Sequence, residues 1–278
     1  MTLATGLLPT VDFCGTQLTR LMIGGNQLRG YSHFSEELNA EMREYYTVEN
    51  AAQTLLRAEE CGINCMQSRG DEIIFSMVDA YRAAGGSMHW IVQTASEQDD
   101  LFKNIRDIAA KGAWGIYWHG SMTDRMWKAG KIDEAEDYLK AMRDAGVKVG
   151  IACHMPEVLR YIEDAGWDLD FYKVCFYNIA KVERQSMLVS GKMVEEPFDD
   201  PDRDIACAFA RETAKPCIAY KILAASRKCG SEEEIRASFQ YAFDHIKAGD
   251  IVNVGMFQKH LDQVAMNAGI VREVLGAA

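Results

Sequence analysis

The sequence predicts an α/β protein, a closed (β/α)8 TIM barrel with a short N-terminal hairpin. Three observations predict it. Short apolar runs alternate eight times with stretches whose apolar residues recur at helical spacing. No linker-like stretch interrupts them, so residues 1–278 read as one domain. The length, 278 residues, also suits a barrel of about 250 residues. An open doubly wound sheet is the rival, and eight even units weigh against it.

Residues 10–25 read as a small hairpin leading into a first strand at Arg20–Ile23, followed by a long polar loop from Asn26 to Tyr46. From Thr47 the pattern turns helical through Ala52, Leu55, Leu56 and Glu59, and Cys61-Gly62 stops it. Ile63–Gln67 is the second strand and Asp71–Ala84 its helix; His89–Thr94 and Gln98–Lys111 repeat the unit, closed by Gly112. The fourth strand, Ala113-Trp114-Gly115-Ile116-Tyr117-Trp118-His119, is a buried parallel run ending in histidine. A polar loop is expected next, then a helix over Lys131–Ala145 with Ile132, Ala135, Leu139 and Met142 at helical spacing.

Val147–Cys153 is the fifth strand, and Pro156 sits where the first helical turn tolerates it. Phe171–Tyr177 is the sixth strand. The polar stretch after it, residues 178–201, is long for an idle connection and reads as a lid with Met187, Met193 and Phe198 as apolar anchors. A helix at Asp202–Ala214 and a seventh strand at Pro216–Ile222 follow. Ser231-Glu232-Glu233-Glu234 is a capping box for a helix carrying Ile235, Phe239, Ala242, Phe243 and Ile246. Ile251–Met256 is the eighth strand, and Leu261–Leu275 closes the series.

A net charge of −11 argues against nucleic acid or an anionic membrane as the main partner. No uncharged run approaches the length of a membrane span, and Met1 to Leu8 lacks the features of a signal peptide. The eight cysteines form no CxxC pair and sit mostly among apolar residues, which suits free thiols in a reducing cytoplasm.

Barrel chemistry sits at the carboxyl ends of the strands. With the strands placed as above, that rim carries Asn26, Gln67, Arg69, Gln93, His119, His154, Tyr177, Asn178, Lys221 and Gln258. His119 and His154 end adjacent strands, so strand spacing allows their rings to approach to roughly 6–8 Å. They are the candidate catalytic pair, with His119 as general acid or base and His154 assisting. A divalent metal shared by His119 and His154, with His33, Asp71 or Glu72 as third ligand, is an alternative. A structural role for one or both is another.

His33, Gln67, Arg69, Gln93, Tyr177, Asn178 and Lys221 are candidate substrate-binding residues. Arg69 is able to fork onto a carboxylate or diol, or simply to pair with Asp71 or Glu72. Lys221 reads as a nucleophile, an anion clamp or an ion-pair partner. Trp114, Trp118 and Trp127 are candidates for a sugar-stacking wall, with core packing as the plainer reading of Trp114. Arg227, Lys228 and Lys259, with Ser226, surround the usual phosphate position of barrels and are candidate cofactor contacts, although no Gly-rich fingerprint accompanies them.

Several stretches resemble the aldo-keto reductase superfamily: Cys61-Gly62-Ile63-Asn64, Ile116-Tyr117-Trp118-His119, the run from Leu139 to Ile151, Phe176-Tyr177-Asn178 and Ala219-Tyr220-Lys221. The resemblance runs nearly end to end and includes the hairpin that closes the barrel bottom. It implies an NADPH-dependent reductase using an Asp-Tyr-Lys-His tetrad. Only the histidine matches, as His119. The aspartate position holds Gln67, the tyrosine region (Arg69 to Glu72) has no tyrosine, and the lysine position holds Ala95, or Gln93 with a shift. The Ser-Asn pair that holds the nicotinamide amide reads Cys153-His154, while Tyr177 remains able to stack on a flat ring. Losing three of four members removes the relay that acidifies the tyrosine.

The expectation is a divergent barrel enzyme acting on a small polar carbonyl or sugar-like substrate by acid-base chemistry, of lyase, isomerase or hydratase type. An NADP-dependent oxidoreductase with another proton donor and a non-catalytic binding barrel are the alternatives.

Overall fold

The computed structural model describes residues 6–183, 190 and 193–277. Eight parallel strands close into a barrel in the order β10-β3-β4-β5-β6-β7-β8-β9. Their ranges are β3 Leu21–Gly24, β4 Cys65–Arg69, β5 His89–Gln93, β6 Gly115–Trp118, β7 Lys148–Cys153, β8 Phe171–Cys175, β9 Cys217–Tyr220 and β10 Ile251–Gly255. The antiparallel hairpin β1 Thr10–Phe13 and β2 Thr16–Thr19 precedes them. The (β/α)8 barrel with its hairpin is therefore the fold.

Sequence chemistry explains the helix starts. The side chains of Thr47, Asp71, Asp100, Ser231 and Asp262 each accept from a backbone N–H in the first turn of the following helix. Those helices are α2 Val48–Glu60, α3 Glu72–Ala83, α4 Leu101–Ala110, α9 Glu232–His245 and α10 Gln263–Val274. Pro156 and Pro201 open α7 Pro156–Asp164 and α8 Pro201–Glu212, where a missing N–H costs nothing.

Two expected loops contain helices. Within 26–46 lie a 3-10 turn at Gln27–Arg29 and α1 Glu36–Tyr45, capped by the Ser35 side chain. Polar composition hid α1, whose buried side is only Asn39 and Met42. After His119 no polar loop intervenes: His119 itself is the N-cap of α5 Gly120–Lys128. The helix expected over Lys131–Ala145 is a 3-10 turn at Ile132–Glu134 running into α6 Ala135–Asp144.

Side chains alternate along each strand, so one set fills the barrel and the other meets the helices. Phe13 and Leu18 from the hairpin pack beneath Met22, Cys65, Ile91, Tyr117, Ala152, Phe171, Ile218 and Ile251 and close the amino-terminal end. Gly150 makes room there, since a Cβ on it would meet the Phe171 ring at 2.3 Å. Asp250, fully buried, ties β9 to β10 by accepting from the N–H groups of Cys217 (2.8 Å) and Lys247 (2.9 Å).

All eight cysteines are free thiols, with Cys229 exposed and Cys14 half-buried. Among the described residues no helix is long and apolar enough to cross a membrane.

Candidate active site

The carboxyl-terminal ends of the strands converge on a cavity of about 1180 Å³ that extends outward along α10 as far as Arg272. One of its lining residues is Lys173, at the middle of β8 on the same inward parity as Phe171 and Cys175. The lysine is 2% exposed. Its Nζ donates to Gln67 Oε1 at 3.3 Å and lies between two aromatic faces, 4.9 Å from the Tyr117 ring centroid and 4.7 Å from that of Tyr220. Among the described residues no carboxylate forms an ion pair with it. Burial, abetted by the nearby Lys221 charge, pushes its amine down to about 7.

The groups around Lys173 are fixed by one another. Gln67 Oε1 also accepts from Asn253 Nδ2 at 2.9 Å, and the Tyr117 hydroxyl donates to Gln93 Oε1 at 3.1 Å. Asn253 Oδ1 is buried and has no hydrogen-bond partner among the described residues.

His154, 5% exposed, stands beside this floor with its ring 5.8 Å from that of Tyr220. Its Nδ1 lies 2.6 Å from Asp124 Oδ2, while Asp124 Oδ1 accepts from the His154 backbone N–H at 3.1 Å and from Cys153 Sγ at 3.2 Å. With the proton on Nδ1, the carboxylate sets the tautomer and leaves Nε2 as the basic nitrogen. Asp124 comes from α5, which packs on β7, so the start of α5 directly after His119 builds the pair. Gly120 permits this packing, because a Cβ there would lie 3.1 Å from His154 Cε1. His119 lines the same cavity.

At the rim, Glu196 Oε2 is 3.1 Å from His33 Nδ1 and 3.8 Å from Lys221 Nζ. Asn39 Nδ2 donates to Met193 Sδ, and the Arg227 guanidinium lies 4.1 Å from the Phe198 ring centroid. Residues 193–198 thereby border the mouth. His33 and Lys221 hold left-handed backbone, φ 58° and 61°, which non-glycine residues adopt at a cost of order 1–3 kcal/mol and mostly at functional positions.

Of the residues predicted at the site, His33, Gln67, Arg69, Gln93, His119, His154 and Lys221 line the cavity, as does Asn26. Arg69 is tied down: Nε donates to Glu97 at 3.1 Å, Nη2 pairs with the same carboxylate, and Asp71 is 3.6 Å away.

Others lie elsewhere. Tyr177 is fully buried beneath Phe198 with its hydroxyl 3.5 Å from Asp200, so its ring has no free face toward the cavity. Asn178 is spent on backbone, its side chain accepting from Ala180 N and its N–H donating to Asp202. Gln258 caps the start of α10, accepting from Val264 N. The three tryptophans are structural: Trp118 stacks on Tyr138 at 4.3 Å, Trp114 packs at the barrel bottom against Phe13, and Trp127 meets Tyr161. Met187, the first of the proposed lid anchors, lies outside the described residues.

The residues proposed as metal and cofactor contacts have these neighbours. Among the described residues no three His, Cys, Asp or Glu side chains converge to hold a metal ion. Lys228 pairs with Asp200 (3.1 Å), Lys259 with Glu41 (3.0 Å), and Arg227 donates to the His33 carbonyl (3.0 Å). None of the three lines the cavity. Cys153 and His154 Nδ1 both bond Asp124, and they are not the Ser-Asn pair that the resemblance implies for holding a nicotinamide amide.

The structure does bring tyrosines and an amine to the barrel centre, but not as a reductase relay. The Lys173 amine faces the rings rather than the hydroxyls, and burial pushes both phenols well above their ordinary range.

No protein-family profile and no curated protein matches the chain. Solved barrels do. A mandelate oxidase mutant carrying an FMN adduct is 13% identical, with a TM-score of 0.56 over 98% of this chain and 79% of that one. A native KDPGal structure is 13% identical, with a TM-score of 0.51 over 92% and 96%. A Rubisco-like protein from Rhodopseudomonas palustris is 12% identical, with a TM-score of 0.53 over 93% and 65%. At such identities the likeness shows the barrel fold alone. The resemblance to aldo-keto reductases is thus supported in its barrel and not in its family.

Lys173, Tyr117, Tyr220, Asn253, Asp124 and Glu196 are site residues that the rim reading passed over. For Lys173 the signal was present: a lysine at the centre of Phe171-Tyr172-Lys173-Val174-Cys175 occupies an inward position of a buried strand.

Proposed function

We propose that this protein is an enzyme acting on a small polar carbonyl or sugar-like substrate by acid-base chemistry, of lyase, isomerase or hydratase type. In this reading it is a divergent relative of the aldo-keto reductase barrel that has replaced hydride transfer with proton transfer. One observation carries the proposal: His154, facing the cavity, is oriented by a buried carboxylate at 2.6 Å. A buried aspartate on Nδ1 raises the basicity of Nε2 and stabilises the imidazolium that forms when it takes a proton.

His154 removes a proton from carbon next to the carbonyl, and His119, just past the end of the adjacent strand, returns one to oxygen or carbon. Gln67, Gln93 and Asn253 hold substrate oxygens from the floor, and Arg69 faces the cavity from the end of β4. Residues 193–200 act as a lid, latched by Glu196 to His33 and Lys221. A small-molecule substrate and a cytoplasmic setting belong to the same reading.

The test is exchange of carbon-bound hydrogen. The protein is incubated in D2O with dihydroxyacetone, hydroxyacetone or pyruvate, and loss of the α-proton signal is followed by NMR. Catalysed exchange that falls by about 10²- to 10⁴-fold in His154→Ala supports the proposal. No exchange above buffer with any of the three, or full exchange in the variant, overturns it.

A further inference from the structure

Among the described residues the other lysine that lines the cavity, Lys221, pairs with Glu196, and farther out Lys228 pairs with Asp200 and Lys259 with Glu41. Lys173 is the exception among the described residues. It occupies the most buried position of the set, at the base of the cavity, and its neighbours are an amide oxygen and two aromatic faces. A purely structural cation would be expected to have a countercharge, because burying an ammonium without one is costly. A lysine kept neutral for use as a nucleophile needs the opposite: a dry pocket, no carboxylate and a second cation nearby. Lys173 is buried, has no carboxylate partner among the described residues and feels the Lys221 ammonium, and its amine is lowered to about 7.

We propose that Lys173 is a covalent catalyst, whose amine condenses with the carbonyl carbon of a small hydroxylated aldehyde or ketone at the base of this cavity to form an imine. This deepens the functional reading above and rests on its assignment of a carbonyl substrate. The Nζ lone pair attacks the carbonyl carbon, and the C=O π pair moves to oxygen, which takes a proton. Nitrogen loses a proton to give the neutral carbinolamine. A second proton on the hydroxyl lets water leave as the nitrogen pair forms C=N. The sum is carbonyl, amine and one proton giving the N-protonated imine plus water, with no change in oxidation state.

The proton carrier is within the same cluster: the His154 ring and the Lys173 amine both pack on Tyr220, at 5.8 and 4.7 Å. Protonated on nitrogen, the imine draws electrons from the adjacent carbon far more strongly than the parent carbonyl. That is the activation a histidine base needs to remove the α-proton and leave an enamine.

The experiment is reductive trapping of the full chain near neutral pH. Dihydroxyacetone, hydroxyacetone and pyruvate are each added with sodium borohydride, and adducts are mapped by peptide mass spectrometry. The expected result is a reduced adduct on Lys173 at least about tenfold above that on Lys221 or the surface lysines, and none at this position in Lys173→Met. Absence of a Lys173 adduct with all three carbonyls, or labelling no greater than at the surface, overturns the proposal.

The α-proton exchange assay separates this failure from failure of the parent reading. Exchange that is lost in His154→Ala but kept in Lys173→Met, with no adduct, leaves the acid-base function and removes the imine. An adduct at Lys173 without exchange supports the imine and removes the acid-base assignment.

Discussion

Replacing Lys173 by methionine gives a quantitative test of how deeply that amine is desolvated, independent of any substrate. Its folded value of about 7 lies well below the 10.5 of an ordinary lysine. Between those limits the unfolded chain holds a proton on this amine that the native protein does not, so native stability rises with pH across the window. Below pH 7 both states are protonated and the full cost is felt, about 5 kcal/mol at 1.36 kcal/mol per pH unit.

Methionine removes the titration and roughly keeps the volume. It forfeits the hydrogen bond to Gln67, worth about 1 kcal/mol, and two cation–π contacts of about 1–2 kcal/mol each. Gln67 Oε1 keeps its bond from Asn253, so no acceptor is orphaned. At pH 6 the variant should therefore equal or exceed the parent in stability. Its advantage should shrink by about 2 kcal/mol between pH 7 and pH 9, because every other titrating group cancels in the difference. Urea unfolding of both proteins at a series of pH values, followed by tryptophan fluorescence, measures this directly. A stability difference that stays constant from pH 7 to pH 9 would refute the reasoning, since it would mean that the amine is protonated alike in both states.

Other perturbations read the remaining parts of the site and scaffold. Asp124→Asn should lower any His154-dependent proton exchange by about 10²-fold while circular dichroism stays native, because the amide no longer stabilises the imidazolium; equal rates would place the pair outside catalysis. Glu196→Gln should weaken the latch between His33 and Lys221, and hydrogen–deuterium exchange of residues 193–200 should then quicken while the strands stay protected. Asp250→Ala should cost about 3 kcal/mol in chemical denaturation, since it removes the acceptor of the buried Cys217 N–H and the half-buried Lys247 N–H and the carboxylate 3.2 Å from the Lys247 ammonium. Gly150→Ala should cost about 1–3 kcal/mol in the same assay by driving a methyl group into the Phe171 ring, and an unchanged midpoint would show that the barrel bottom can shift.

By itself the amino-acid sequence determined the alternation of strands and helices, because apolar periodicity, caps such as Asp71 and Ser231, and Pro156 act locally. It also determined which residues end the strands, so Gln67, Arg69, Gln93, His119, His154 and Lys221 could be placed at the cavity from strand position alone. Where an element is mostly polar, as α1 is, that periodicity carries little information, and the expected loop contained a helix.

Only the tertiary structure decided what those side chains are for. Asp124 reaches His154 because α5 begins at once after β6 and packs on β7, a pairing 30 residues apart that no local pattern encodes. Lys228 and Lys259 looked available as cations, and folding paired them with Asp200 and Glu41. Tyr177 lies only two residues past β8, yet the turn there buries it under Phe198. Lys173 is the reverse case: a charged residue inside a strand looks like an exception to the pattern, and closure of the barrel makes it a buried amine lining the site. Strand parity follows from backbone geometry over a few residues, whereas the partner that a charge finds depends on packing across the whole chain.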